Sequence, residues 1–362
     1  MPRSFKTTLL ALSLLAATPA AAQRRTRASG TRTAATYANP VFDVDFPDPT
    51  VVRARDGNYY AYATQGPVGG RVVNIQVARS RDLVRWEHLG DALPQKPAWA
   101  SETQMFWAPH VALHGDTYYM YFSADPNQKT GLCLAVATSK NPAGPFVDAG
   151  KPLKCGESFV NIDPMSFDDP ATGKKLLYWG SAFQPIRVQE LADDRVSFKE
   201  GTRPVELVRA DKNVPYQTLV EGAWVVRRGG WYYLFYSGEN CCHGPLQLIK
   251  YAVMVARSRS ATGPFQTLAE ATGAADSVVV RRGARWIGPG HNSVFTDAAG
   301  RDWIAYHAID ARRPYLEAEV SGDRSVRRVM LIDRLVWRDG WPRVETGMPS
   351  EGARPAPSAR VR

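Results

Sequence analysis

Four ionisable side chains stand at similar distances ahead of aromatic runs. Asp48 precedes Tyr59, Asp163 precedes Leu177, Glu221 precedes Tyr232 and His291 precedes Trp303, at offsets of 11, 14, 11 and 12 residues. Pro109 holds the same relation to Tyr118 at an offset of 9. Asp48 lies in FPDPT (Phe46 to Thr50), between two prolines that stiffen the backbone on either side. Asp163 lies in NIDPM (Asn161 to Met165), again followed by proline, and Glu221 in VEGAW (Val220 to Trp224), where Gly222 and Ala223 leave room beside the carboxylate. A single Asp-Pro pair is more often a turn or strand start than a site. Three carboxyls at one repeat position repel one another and are hard to justify as structure. One ionised carboxylate can activate water, one protonated carboxyl can act as acid, and a third beside the acid raises its pKa. These are the working parts of glycoside hydrolysis. His291, in GPGHNS (Gly288 to Ser293), has the means to bond a substrate hydroxyl, hold water or bind a cation. A lone histidine is usually structural, but its place in the repeat favours a site role.

The elements that must position these groups are strands. The five aromatic markers lie 59, 59, 55 and 71 residues apart, a long period that reads as one propeller blade per repeat. The predicted fold is all-β, a single five-bladed β-propeller whose innermost strands aim the ionisable groups at a central channel. NYYAYAT (Asn58 to Thr64), TYYMYFS (Thr117 to Ser123), LLYWGS (Leu176 to Ser181), WYYLFYS (Trp231 to Ser237) and WIAYH (Trp303 to His307) have strand composition, and turn signals such as Asp56-Gly57 and Gly229-Gly230 open hairpins. Val77 to Ser80, Val136 to Ser139 and Val255 to Ser258 repeat as a following strand, and Gly144-Pro145-Phe146 and Gly263-Pro264-Phe265 as a corner. Blades pack face to face, so most aromatic residues, including many of the ten tryptophans, are expected between blades.

The chain ends are read separately. Residues 1–22 carry Arg3 and Lys6 before an apolar run and small residues at Ala20 and Ala22, the pattern of a secretory signal, so a secreted or periplasmic location is expected. The run is too short to span a bilayer. Residues 23–36 are expected to form a flexible basic leader, 37–350 the catalytic propeller and 351–362 a disordered tail. The net charge is +10, but only +2 remains on 37–350, which speaks against a nucleic-acid partner. The sequence leaves the oligomeric state open. Of the four cysteines, Cys133 and Cys155 are expected to pair, whereas the adjacent Cys241 and Cys242 form either a vicinal bridge or separate contacts. No zinc spacing, serine-nucleophile elbow or phosphate-cradling glycine loop is present.

With FPDPT, WAPHV (Trp107 to Val111), NIDPM, VEGAW, GPGHNS and RLVWRDGWP (Arg334 to Pro342) in this order, the sequence resembles glycoside hydrolase family 43 from about Asn39 to Gly347. The resemblance implies a secreted five-bladed propeller acting by inversion on arabinose- or xylose-containing plant polysaccharides or oligosaccharides. It implies Asp48 as general base, Glu221 as general acid and Asp163 as the residue tuning and orienting that acid. Trp107 would stack on a sugar ring. No cofactor is required for the chemistry, while His291 would hold calcium or another ion through water in the channel. The absence of an added β-sandwich leans toward arabinan-type members over β-xylosidases. FPDPT and VEGAW depart from the Asn-Asp-Pro-Asn-Gly and Glu-Cys motifs of invertase-type enzymes, and the unlike channel residues argue against a non-catalytic lectin.

Overall fold

Five sheets make up the body in a computed structural model that describes residues 1–2, 35–317 and 325–359, with a separate hairpin of Gly66–Val68 and Arg71–Val73 between the second and third strands of the first. The first blade consists of Thr50–Arg53, Tyr59–Ala63, Gln76–Ser80 and Trp86–Asp91, and the second of Phe106–His114, Thr117–Ala124, Cys133–Ser139 and Val147–Asp148, with Lys154–Cys155 added beside its third strand. Met165–Asp168, Lys175–Trp179, Arg187–Glu190 and Val205–Glu206 form the third blade. The fourth runs through Val220–Arg228, Trp231–Gly238, Ala252–Ser258 and Gln266–Thr267, and the fifth through Trp286–Thr296, Asp302–Asp310, Arg328–Arg338 and Trp341–Val344. All their neighbouring strands are antiparallel, as short hairpin connections require. This is the expected five-bladed propeller. The segment 1–22 expected to be a signal and the expected leader up to residue 34, apart from residues 1–2, lie outside the described residues.

The expected inter-blade core is present. Trp179, Trp286, Trp303 and Trp341 are fully buried. Three tyrosines at one strand position peg each of the first three blades to the next: Tyr62 donates to the Pro142 carbonyl, Tyr121 to Arg195 O (2.9 Å) and Tyr178 to Ala261 O (2.6 Å). Each ring fills the apolar gap while its hydroxyl, which cannot be buried unpaired without cost, finds a carbonyl across it.

The ring closes where the two ends of the chain meet. Tyr37 and Asn39 bond the Ile332 backbone, Phe46 N donates to Arg328 O (2.7 Å), and Val41 N to Met330 O (3.1 Å). The entering chain thus docks on the third strand of the fifth blade. The expectation of a disordered tail is corrected here: Arg354–Pro355 pairs with Thr36–Tyr37, and Ser358 N donates to Asp297 Oδ2 (2.9 Å). Thr36 therefore belongs to a strand and not to a leader. A two-residue strand carries little sequence signal, and its pairing partner lies more than 300 residues away. Cys133 pairs with Cys155 and Cys241 with Cys242.

Candidate active site

One backbone residue per blade adopts a left-handed conformation near the channel end of the first strand: Asp48 (φ 58°), Ala108 (46°), Asp163 (59°), Gly222 (62°) and His291 (48°). This set corrects the repeat position read from the sequence, which put Pro109 and Glu221 where Ala108 and Gly222 stand. Glu221 is one residue earlier, before a bulge between Glu221 and Trp224, at the position Trp107 holds in the second blade. For residues with a Cβ such a conformation costs on the order of 1 kcal/mol or more and must be held by its surroundings.

A ring of hydrogen bonds from blade to blade holds it. The last residue of each aromatic run accepts the N–H of the next blade's left-handed residue: Thr64 Oγ1 from Ala108 (2.8 Å), Ser123 Oγ from Asp163 (3.2 Å), Ser237 Oγ from His291 (2.8 Å), and His307 Nδ1 from Asp48 (3.1 Å). The third blade breaks the series because Gly180, which has no side chain, stands at the acceptor position, and Ser181 follows one residue later. Two changes follow. Asp163 Oδ2 takes over the Gly222 N–H (2.9 Å), and Ser181 Oγ reaches past the backbone to Glu221 Oε2 (2.6 Å).

The three carboxyls consequently occupy different environments. Asp48 accepts from Thr64 Oγ1 through Oδ2 (2.6 Å), while Oδ1 lies 3.3 Å from Arg328 Nη1, 3.3 Å from His291 Nδ1 and 3.2 Å from His307 Nδ1. Burial alone would raise its pKa, but Arg328, then His291, outweigh burial and hold it well below the usual carboxylate range. Asp163 is moved the other way, well upward, by burial first and then by the charges of Glu221 and Asp48. Glu221 is the most exposed of the three, and its second oxygen accepts from Tyr251 Oη (2.8 Å). Tyr251 is wedged in place: its ring stacks on His307 (5.8 Å between centroids), and a Cβ on Gly290 would fall 2.1 Å from it. Burial lowers His307 to about 4, leaving a neutral ring whose Nδ1 can accept from Asp48 N–H.

The structure thus brings Asp48, Asp163 and His291 together directly, with Glu221 tied to Asp163 through Gly222 N. His291 Nδ1 also lies 3.8 Å from Asp163 Oδ2. Trp107 is half-buried and has no aromatic ring partner among the described residues. Arg328, Thr64, Ser181, Tyr251 and His307 are site residues that the sequence reading missed. The acceptors were legible as the final letters of the five aromatic runs. Arg328, on a third strand outside the repeat, gave no such signal. Among the described residues no three His, Cys, Asp or Glu side chains are arranged to hold a metal ion, so an ion at His291 would have water for most of its ligands, and no step below uses one.

Asp163 supports a prediction about stability. A folded carboxyl with a raised pKa contributes stability below the unfolded value, near 4, and loses it as pH rises toward its folded pKa. Asp163→Asn keeps an acceptor for Gly222 N–H and removes that loss. The variant is expected to unfold at a higher temperature than the parent at pH 7. The advantage should vanish near pH 4, and an equal or lower midpoint at pH 7 would contradict the assignment.

A propeller whose channel gathers three buried or half-buried carboxyls, each with a different partner set, has the architecture of a glycoside hydrolase. The family model for glycosyl hydrolases family 43 matches residues 37–342, and the chain belongs to that family. It is 28% identical, over 83% of its own length and 87% of the relative's, to an extracellular exo-α-(1→5)-L-arabinofuranosidase of Cellvibrio japonicus. Among solved structures it superposes on a thermostable family-43 glycoside hydrolase with a TM-score of 0.70 at 27% identity, covering 89% of this chain and 99% of the other. It also superposes on a Cellvibrio cellulosa α-L-arabinanase complexed with arabinohexaose with a TM-score of 0.67 at 25% identity, covering 84% and 96%.

Proposed function

We propose that this protein is a secreted hydrolase of α-L-arabinofuranosidic linkages in plant arabinan or its oligosaccharides, acting with inversion. The observation that carries the roles is the opposite treatment of two neighbouring carboxyls. Arg328, with His291 beside it, keeps Asp48 ionised, as a general base requires, while burial and like charge favour a proton on Asp163 beside Glu221. In the reaction, Asp48 takes a proton from water as its oxygen attacks the anomeric carbon. The bond from that carbon to the leaving oxygen breaks, and this oxygen receives the proton held by the Asp163–Glu221 pair through Glu221, the more exposed member. Asp163 orients the pair through Gly222 N–H. Trp107 and His291 contact the sugar.

The arabinan assignment is supported by the relatives that act on arabinose polymers, and the secreted location by the leading segment. The test compares aryl α-L-arabinofuranoside, aryl β-D-xyloside and debranched arabinan, with the anomer of the released sugar followed by NMR. Arabinose appearing first as the inverted anomer supports the reading. Activity on the xyloside alone would reassign the protein as a β-xylosidase, and a retained anomer would overturn Asp48 as base.

A further inference from the structure

Beside the third blade a groove of about 610 Å³ runs between the segment 154–161 and the turn 182–184. Its two aromatic residues are Phe159 and Phe183, whose rings meet edge to face at 6.4 Å. Phe183 is 65% exposed, an unusual position for a large apolar side chain that no neighbour covers. Both supporting segments are firmly built. Ala182 and Phe183 adopt left-handed conformations (φ 57° and 62°) in a turn closed by Gln184 N donating to Ser181 O (3.1 Å). Ser158 O accepts from Leu132 N (2.8 Å), and the segment lies so close to Gly131 that a Cβ there would sit 2.1 Å from Gly156 O.

The groove joins the candidate active site at both walls. Ala182 follows Ser181, whose hydroxyl bonds Glu221, and Asn161 on the other wall lies two residues before Asp163. The exposed aromatic faces suit the C–H face of a sugar residue, and Glu157 and Gln184, exposed in the lining of the groove, can meet its hydroxyl edges.

We propose that Phe159 and Phe183 form a subsite for the sugar on the leaving-group side of the scissile bond. This deepens the hydrolase reading and rests on it: Ser181 places the groove beside the proton donor, hence on the side where the leaving sugar departs. The subsite takes a neutral pentose residue of the polymer by stacking.

The test measures kcat/KM of the parent, Phe159→Ala and Phe183→Ala on linear α-1,5-arabino-oligosaccharides and β-1,4-xylo-oligosaccharides, together with competitive inhibition by free arabinose and xylose. Inhibition by the free sugar serves as the control for the glycone side. The expected result is a loss of about 3- to 10-fold in kcat/KM for the cleaved series in each variant, with unchanged inhibition by the corresponding free sugar. Unchanged kcat/KM in both variants would overturn the subsite, and so would equal losses in kcat/KM and in free-sugar inhibition. Cleavage of the xylo series alone would overturn the arabinan reading while the same comparison still decides the subsite.

Discussion

Asp48→Asn is expected to lower kcat/KM on arabino-oligosaccharides by about 10³- to 10⁴-fold while leaving oligosaccharide binding, read by calorimetry, nearly unchanged. Asparagine can still accept from Thr64 Oγ1, so the side chain stays in place, but it cannot take a proton from water. The loss should be the same for aryl and sugar leaving groups, because base catalysis acts on the nucleophile. Arg328 supplies a companion result. It is the principal group outweighing burial at Asp48, so Arg328→Gln should raise the pKa of that carboxyl. Since the proposed mechanism needs Asp48 ionised, the acid limb of the kcat/KM profile should move to higher pH, by about 1 unit or more. An acid limb that stays put would remove Arg328 from its role, and a fully active Asp48→Asn would remove Asp48.

Glu221→Gln should show the opposite dependence on leaving group. The amide is no proton donor of catalytic use, so hydrolysis of arabinan, whose leaving oxygen belongs to a sugar, should fall by about 10²- to 10⁴-fold. An aryl arabinofuranoside carrying a nitro group departs without help and should lose far less. Tyr251 and Ser181 hydroxyls can rotate to meet the amide, so an unchanged unfolding temperature is expected. Equal losses on both substrates would mean that Glu221 serves another purpose.

The carboxyls were legible because the repeat put aspartates at equivalent places in the first and third blades and a glutamate beside that place in the fourth. The one-residue error at Glu221 has a physical cause: aligning aromatic runs cannot detect a bulge, and here the bulge moves the left-handed residue to Gly222 while the carboxyl comes from the residue before it. Gly180 has the same character. A glycine at the acceptor position is invisible as composition, yet it leaves the Gly222 N–H to Asp163 and sets Ser181 one residue further on, against Glu221. Arg328 was illegible for another reason, since its meeting with Asp48 depends on how the first and last blades join. The blade count and the aromatic core were plain from periodicity. The pairing of Arg354–Pro355 with Thr36–Tyr37 was not, because it is made by four residues without a pattern.

The junction of first and last blades also bears on how the chain acquires activity as it is made. Asp48 leaves the ribosome early, whereas His307 and Arg328, which bond its backbone and charge its surroundings, follow some 259 and 280 residues later. Contacts of such sequence separation form late and slowly. A nascent or truncated chain lacking the fifth blade has neither ring closure nor the Arg328 contact to Asp48. Under the proposed roles, hydrolytic competence arrives in one step with the fifth blade, and fragments lacking that blade should be inert toward glycosides.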